Sequence, residues 1–385
     1  MTTNSSSCLA SKPHYDLLDG LRGVAALLVL WYHVFEGFSF ATAVNTGLDP
    51  PISTINHGYQ AVDFFFILSG FVIGYAYDDR FRNGTLTLRS FFKRRIIRLH
   101  PMVLLGAVIG AVTFMLQGSQ QWDGTHVSTS LVMLATLCAM FMIPAIPGCP
   151  YEVRGNGEMY PLNGPCWSLF FEYMGNLLYA LLLRRLPTFA LGILTVLLGI
   201  GLAWFTIADV SGYGMLGIGW TLDSMNFIGG MLRMLFPFSM GLLLSRIFRP
   251  RKVKGAFWVG TALLAVLVHV PYIASSGNIC LNGIFESICI LFVFPAIVWL
   301  AASGTTTDRY SSSICRFLGD ISYPLYIVHY PVMYLFYDWL IRNSRYALSG
   351  ALLPSIAVMV LNIALAYAAL RFFDQPLRRW LTKQA

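Results

Sequence analysis

Asp19-Gly20-Leu21-Arg22-Gly23 runs without a break into Val24-Ala25-Ala26-Leu27-Leu28-Val29-Leu30-Trp31-Tyr32-His33. A charged mouth opens a long apolar run, and a histidine sits far down it. Such a run reads as a membrane-spanning helix. At about 100° per residue, Arg22 and His33 return to within about 20° of one face, roughly 16 Å apart along the axis. One helix therefore presents a fixed cation and a titratable base on one line. Ionisable groups at that depth are costly and carry function by default.

Composition supports the membrane reading. The 385 residues are 56% hydrophobic and 11% charged, with a mean hydropathy of +0.64. A soluble domain carries about 25% charge. The expected fold class is all-α, a polytopic transmembrane helical bundle, with residues 1–385 forming a single integral membrane domain. The net charge of +8 does not point to nucleic acid, because the basic residues cluster between apolar runs, as in cytoplasmic loops. Residues 1–14 are polar, without the basic-then-apolar pattern of a cleavable signal peptide, and read as a cytoplasmic tail. None of the seven cysteines forms a CxxC pair, which argues against zinc and a disulfide framework. A Cys149–Cys166 bridge stays open as an option.

Apolar runs near 17–38, 60–77, 99–117, 165–183, 188–207, 225–247, 255–273, 281–302, 318–340 and 350–372 give about ten spans. The loop 39–59 has no Lys or Arg, whereas 78–98 carries seven. The positive-inside bias then puts both termini in the cytoplasm, in a membrane of the bacterial inner-membrane kind. The short apolar stretch 131–145 is expected to be re-entrant or interfacial, since a full crossing would invert every later basic loop. Arg342 and Arg345 are the exception, falling outside.

Five motifs could carry chemistry. Arg22 suits a phosphate or carbonyl by its planar fork, or headgroup snorkelling. His33 suits proton transfer from a hydroxyl. Asp63 opens the second span as a helix cap or a functional carboxylate, and Ser69-Gly70 puts small residues mid-span. Lys93, Arg94, Arg95 and Arg98 form an anion site or a lipid anchor at the inner face. Trp167-Ser168 precedes Glu172, a carboxylate two turns into the fourth span. Ser322, Tyr326 and His329 fall on one helical stripe. Arg233 and Glu286 are weaker candidates.

Taken together and in this order, these motifs resemble the acyltransferase 3 family of integral membrane O-acyltransferases. The resemblance rests on Asp19-Gly-Leu-Arg22 with His33, Phe65-Phe-Ile-Leu-Ser69-Gly70, Arg94-Arg95-Ile-Ile-Arg98-Leu-His-Pro101, Trp167-Ser168-Leu-Phe-Phe-Glu172 and Ser322-Tyr-Pro-Leu-Tyr326-Ile-Val-His329. It implies transfer of an acyl group, usually acetyl, from cytoplasmic acetyl-CoA to a hydroxyl of a carbohydrate or other acceptor outside the membrane, with no metal. Arg22, Lys93, Arg94, Arg95 and Arg98 would hold the acyl-CoA. His33 would act as general base, oriented by Glu172 or Asp63. Ser69, Trp167, Ser322, Tyr326 and His329 would line the tunnel or acceptor site. Partners would be acyl-CoA, the glycan and membrane lipids, with a homo-oligomer left open. The competing class is a proton-coupled transporter or flippase of a lipid-linked sugar.

Overall fold

The computed structural model describes residues 15–47, 56–249, 251–273, 280–305 and 309–384. The polar tail 1–14 and Cys8 lie outside the described residues. The protein is a helical bundle: α1 (Asp16–Thr46), α2 (Ala61–Arg82), α3 (Leu88–Leu116), α4 (Thr129–Met140), α5 (Cys166–Leu181), α6 (Thr188–Ile207), α7 (Ser224–Ile247) and α8 (Ala256–Val268) come first. Then α9 (Leu281–Ile288) passes through a π turn into α10 (Phe294–Ala302), followed by α11 (Arg309–Arg342), α12 (Leu348–Ala369) and α13 (Gln375–Lys383). A two-residue parallel strand pair joins Val253–Lys254 to Gly304–Thr305.

The first helix illustrates how local sequence sets the elements. Asp16 and Asp19 sit in its first turn, where acids complement the positive end of the helix dipole. Gly47 ends it in the left-handed conformation, φ 66°, returning its N–H to the Ala43 carbonyl. The α7 start is capped by Asp223, which accepts from the Asn226 N–H at 2.9 Å.

Glycines set the two closest helix pairs. A Cβ on Gly23 would stand 2.3 Å from the Leu318 carbonyl oxygen, and one on Gly319 would stand 2.7 Å from the Asp19 Cβ. α1 and α11 therefore pack backbone to backbone, as small residues permit inside a membrane. Gly70 and Gly241 do the same for α2 and α7: a Cβ on either would lie 2.0 Å from the other helix's backbone oxygen.

Both pairs are parallel. Asp19 meets Gly319 and Gly37 meets Tyr337; Gly70 meets Phe238 and Gly74 meets Ser245. Parallel α2 and α7 require an odd number of traverses between them. α3, α5 and α6 supply three, so α4 does not cross. Its 12 residues span about 18 Å, well short of the roughly 30 Å hydrocarbon core. The expectation for 131–145 thus has its physical reason in parity.

Among the described residues, eight helices are long and apolar enough to cross a membrane. Two of the ten expected spans are not among them. α11 is long, 34 residues, but carries an inward stripe of polar side chains and is wrapped by other helices. α8 has only 13 helical residues, fewer than the expected 255–273. It still carries the chain across. Its Gly260 packs on Leu21 near the start of α1, and the Val270 carbonyl just beyond it meets His57 at the start of α2. Parallel α1 and α11 require this traverse.

Cys149 and Cys166 are both free thiols, so the optional bridge is not formed. Arg342 pairs with Asp338 at 2.9 Å.

Candidate active site

Two cavities lie end to end along the α1–α11 pair. The larger, about 1030 Å³, opens at the end of the bundle where α1, α3 and α11 begin. Seven arginines line it: Arg22, Arg80, Arg94, Arg95, Arg98, Arg316 and Arg378. Five carboxylates share the lining, Asp16, Asp19, Asp79, Glu172 and Asp320. Three of them are in ion pairs, Asp79 with Arg82 at 3.7 Å among them. Asp19 pairs with Arg22 at 2.7 Å, and Glu172 with Arg95 at 2.7 Å. Arg94 and Arg98 have no carboxylate within ion-pair distance among the described residues, leaving their guanidinium forks for another anion.

Arg22 is fixed by three contacts. Its Nε donates to Ser322 Oγ at 2.8 Å, its Nη2 to the Gly319 carbonyl at 3.1 Å, and it pairs with Asp19. Gly20, Gly23 and Gly319 make this reach short enough.

The smaller cavity, about 270 Å³, lies further along α1. His33 lines it and is 12% exposed. Its Nδ1 lies 2.7 Å from Glu36 Oε2. Glu36 also accepts from the hydroxyls of Tyr337 at 2.8 Å and Tyr330 at 3.2 Å. A carboxylate at Nδ1 makes that nitrogen the donor and leaves the lone pair on Nε2, the form a general base needs. The His33 ring stacks on His329, centroids 5.2 Å apart and planes 29° apart.

Val62 and Tyr326 line both cavities and form the wall between them. Tyr326 is held by Ser168, hydroxyl to hydroxyl at 2.7 Å. The arginine-lined chamber and the histidine-lined chamber thus meet at one tyrosine.

The sequence expectations divide. Arg22, Ser69, Arg94, Arg95, Arg98, Glu172, Ser322 and Tyr326 line the large cavity, and His33, Trp167 and Tyr326 the small one. Lys93 lines neither. The two carboxylates expected to orient His33 do other work. Glu172 holds Arg95 and accepts from Ser69 at 3.0 Å. Asp63 makes a bidentate pair with Arg233, at 3.0 and 2.8 Å, with both side chains at 1% exposure or less. Both are therefore committed to arginines, and His33 takes its carboxylate from its own helix. His329 lines neither cavity; its Nδ1 faces the Leu325 and Tyr326 carbonyls and its ring backs His33.

Several residues of the site were not singled out by sequence. Glu36 follows His33 by three positions, a spacing that puts it on the same helix face. Arg80, Arg316 and Arg378 join the large cavity from three separate elements, which no local pattern brings together. Glu286, a weaker candidate, is buried away from both cavities and accepts from the Leu216 N–H and the Tyr59 hydroxyl, stapling the 208–223 loop.

The loop 141–165 brings Glu158 to the small cavity. Glu158 accepts from the Tyr334 hydroxyl and from Asn156 at 3.1 Å. Burial pushes its carboxyl up to about 7, against the opposing pull of the Arg154 guanidinium. A carboxyl whose folded value lies above its unfolded value binds its proton more tightly when folded. Its contribution to stability is full below about 4.5 and is lost as pH rises through 7. Relative to Glu158→Gln, the wild type should lose thermal stability between about pH 5 and 8, by at most about 3 kcal/mol. Melting midpoints of the two proteins across that range would refute this if their difference stayed constant.

Comparison with known proteins adds an independent line. A family model described as an acyltransferase domain matches residues 15–371. A Rhizobium radiobacter protein named protein 2 in the picA locus is 35% identical over 172 residues, covering 43% of this chain and 81% of that protein. The peptidoglycan O-acetyltransferase OatA of Listeria monocytogenes is 24% identical over 391 residues, covering 96% of this chain and 56% of that protein. The chain thus spans little more than half the length of that relative. No solved structure matches.

Proposed function

We propose that this chain, which belongs to the acyltransferase 3 family, moves an acetyl group from acetyl-CoA to a hydroxyl of a carbohydrate across the membrane. The observation that carries this reading is the pair of cavities meeting at Tyr326, arginines on one side and His33 on the other. Ligand pockets run to about 300–1,000 Å³, and the large cavity sits at the top of that range, suited to a ligand as long as CoA. Arg94 and Arg98 would take its phosphates, with Arg22 at the base of the pantetheine path.

The chemistry is a direct transfer. The acceptor hydroxyl gives its proton to His33 Nε2 as its oxygen bonds to the thioester carbon. Glu36 stabilises the imidazolium that forms. The C–S bond then breaks, and the CoA thiolate takes the proton back from His33, so the base is regenerated. The basic loops between spans support a cytoplasmic side for the large cavity, where acetyl-CoA is made, and an outer side for the small one. The name of the Listeria relative supports a glycan acceptor.

The test uses the purified protein with acetyl-labelled acetyl-CoA and a soluble saccharide. Label recovered on the saccharide as a base-labile ester supports transfer. Saccharide moved across vesicles without label would replace the reading with transport.

A further inference from the structure

Resting on that reading, we infer that the small cavity is a subsite for one neutral sugar unit, built by Trp122, Asn156, Glu158 and Trp220, and that it excludes sugars bearing a carboxylate. Two residues of its lining, each with a buried polar atom, carry the first half. The Trp122 Nε1–H and the Asn156 Oδ1 have no hydrogen-bond partner among the described residues. Orphaned buried groups of this kind are costly, so they point to a ligand that supplies the missing partner once the side chains adjust to it. One is a donor and the other an acceptor. A sugar hydroxyl is both.

The rest of the lining fits the same ligand. Trp122 and Trp220 line it with indole rings, the kind of surface on which the apolar C–H faces of a sugar ring pack. The rim is held rigidly. Glu158 bridges to Thr221, and the Met159 N–H donates to the Trp220 carbonyl at 2.9 Å, so the loops 141–165 and 208–223 present Glu158 and Trp220 together. A volume of about 270 Å³ admits one ring, not a disaccharide.

Charge carries the second half. Glu36 and Glu158 are the carboxylates of the lining, and among the described residues no cation of the lining is left to answer an anionic ligand. Arg233, which also lines the cavity, is consumed by Asp63 and by the Ile218 and Tyr59 carbonyls. His33 is engaged by Glu36. Arg154, near Glu158, lies 3.3 Å from the centre of the Tyr334 ring and donates to Pro161 and Gln117. A sugar carboxylate would meet two like charges in a partly desolvated site.

The test is calorimetric binding to the full chain in detergent near pH 8, with chitotetraose as the neutral probe and tetragalacturonate as the anionic one. Chitotetraose should bind, and Trp122→Phe, which keeps the ring but removes the N–H, should weaken it on the order of ten-fold. Asn156→Ala should do the same. Tetragalacturonate should bind at least about ten-fold more weakly, and Glu158→Gln should narrow that gap. Wild-type affinity in both Trp122→Phe and Asn156→Ala, equal binding of the two probes, or no binding of either would overturn the subsite. Acetyl-CoA turnover in the same samples judges the other half: saccharide binding without any turnover in the wild type would refute acetyl transfer and leave the subsite standing.

Discussion

His33→Ala should fold, bind acetyl-CoA and transfer acetyl groups about 10²–10⁴-fold more slowly than the wild type. Among the described residues the site offers no second base in its place. His329 stacks behind His33 and lines neither cavity. Glu158 reaches the small cavity but is tied to Tyr334 and Asn156. Glu36→Gln is the sharper companion. It keeps the shape of the side chain while removing the charge that fixes His33 Nδ1–H and stabilises the imidazolium. Its loss should fall in the rate constant for transfer, with the KM for acetyl-CoA little changed, because Glu36 faces the small cavity and not the arginine chamber. Steady-state kinetics with acetyl-CoA varied separates the two parameters. A Glu36→Gln enzyme with wild-type kcat would remove Glu36 from the mechanism and return the orientation of His33 to the ring stack alone.

Asp63→Ala should be the most destabilising single change in the bundle, by about 3–5 kcal/mol. It would leave the Arg233 guanidinium, 1% exposed, without its carboxylate. Arg233 also ties the 208–223 loop to α2 through the Ile218 and Tyr59 carbonyls and lies over the Trp167 ring. Loss of the charge balance would therefore loosen the wall of the small cavity as well. Replacing both partners with apolar residues, as in Asp63→Leu with Arg233→Met, should recover much of the loss, since no uncompensated charge remains. Melting midpoints of the monodisperse proteins test this as a double-mutant cycle. Two single-variant losses that simply add in the double variant would show that the pair is not coupled.

These two predictions also mark what the sequence disclosed. The Arg22–His33 spacing, the basic loops and the Ser322–Tyr326–His329 stripe follow from helix period and membrane charge rules. They locate the two chambers on one helix pair. The glycines Gly23 and Gly70 announce close packing, though not their partners, because which helices meet is a tertiary fact. Asp63 and Glu172 read as catalytic candidates because a carboxylate in a span demands a partner. Their arginines come from helices 170 and 77 residues away in sequence, and no local pattern names them. Glu36 was within reach, at three residues from His33. The rim built by Trp122, Glu158 and Trp220 depends on two loops bridging each other, which no periodicity encodes.

The central claim is that donor and acceptor meet at Tyr326 from opposite faces of the membrane. Sealed vesicles holding the protein in one orientation test it. Acetyl-labelled acetyl-CoA is supplied only on the side of the arginine chamber and chitotetraose only on the other. The account predicts label on the saccharide, with CoA released on the donor side, and no label when the two substrates are exchanged. Equal labelling in both arrangements, or labelling only when both substrates share one side, would contradict it.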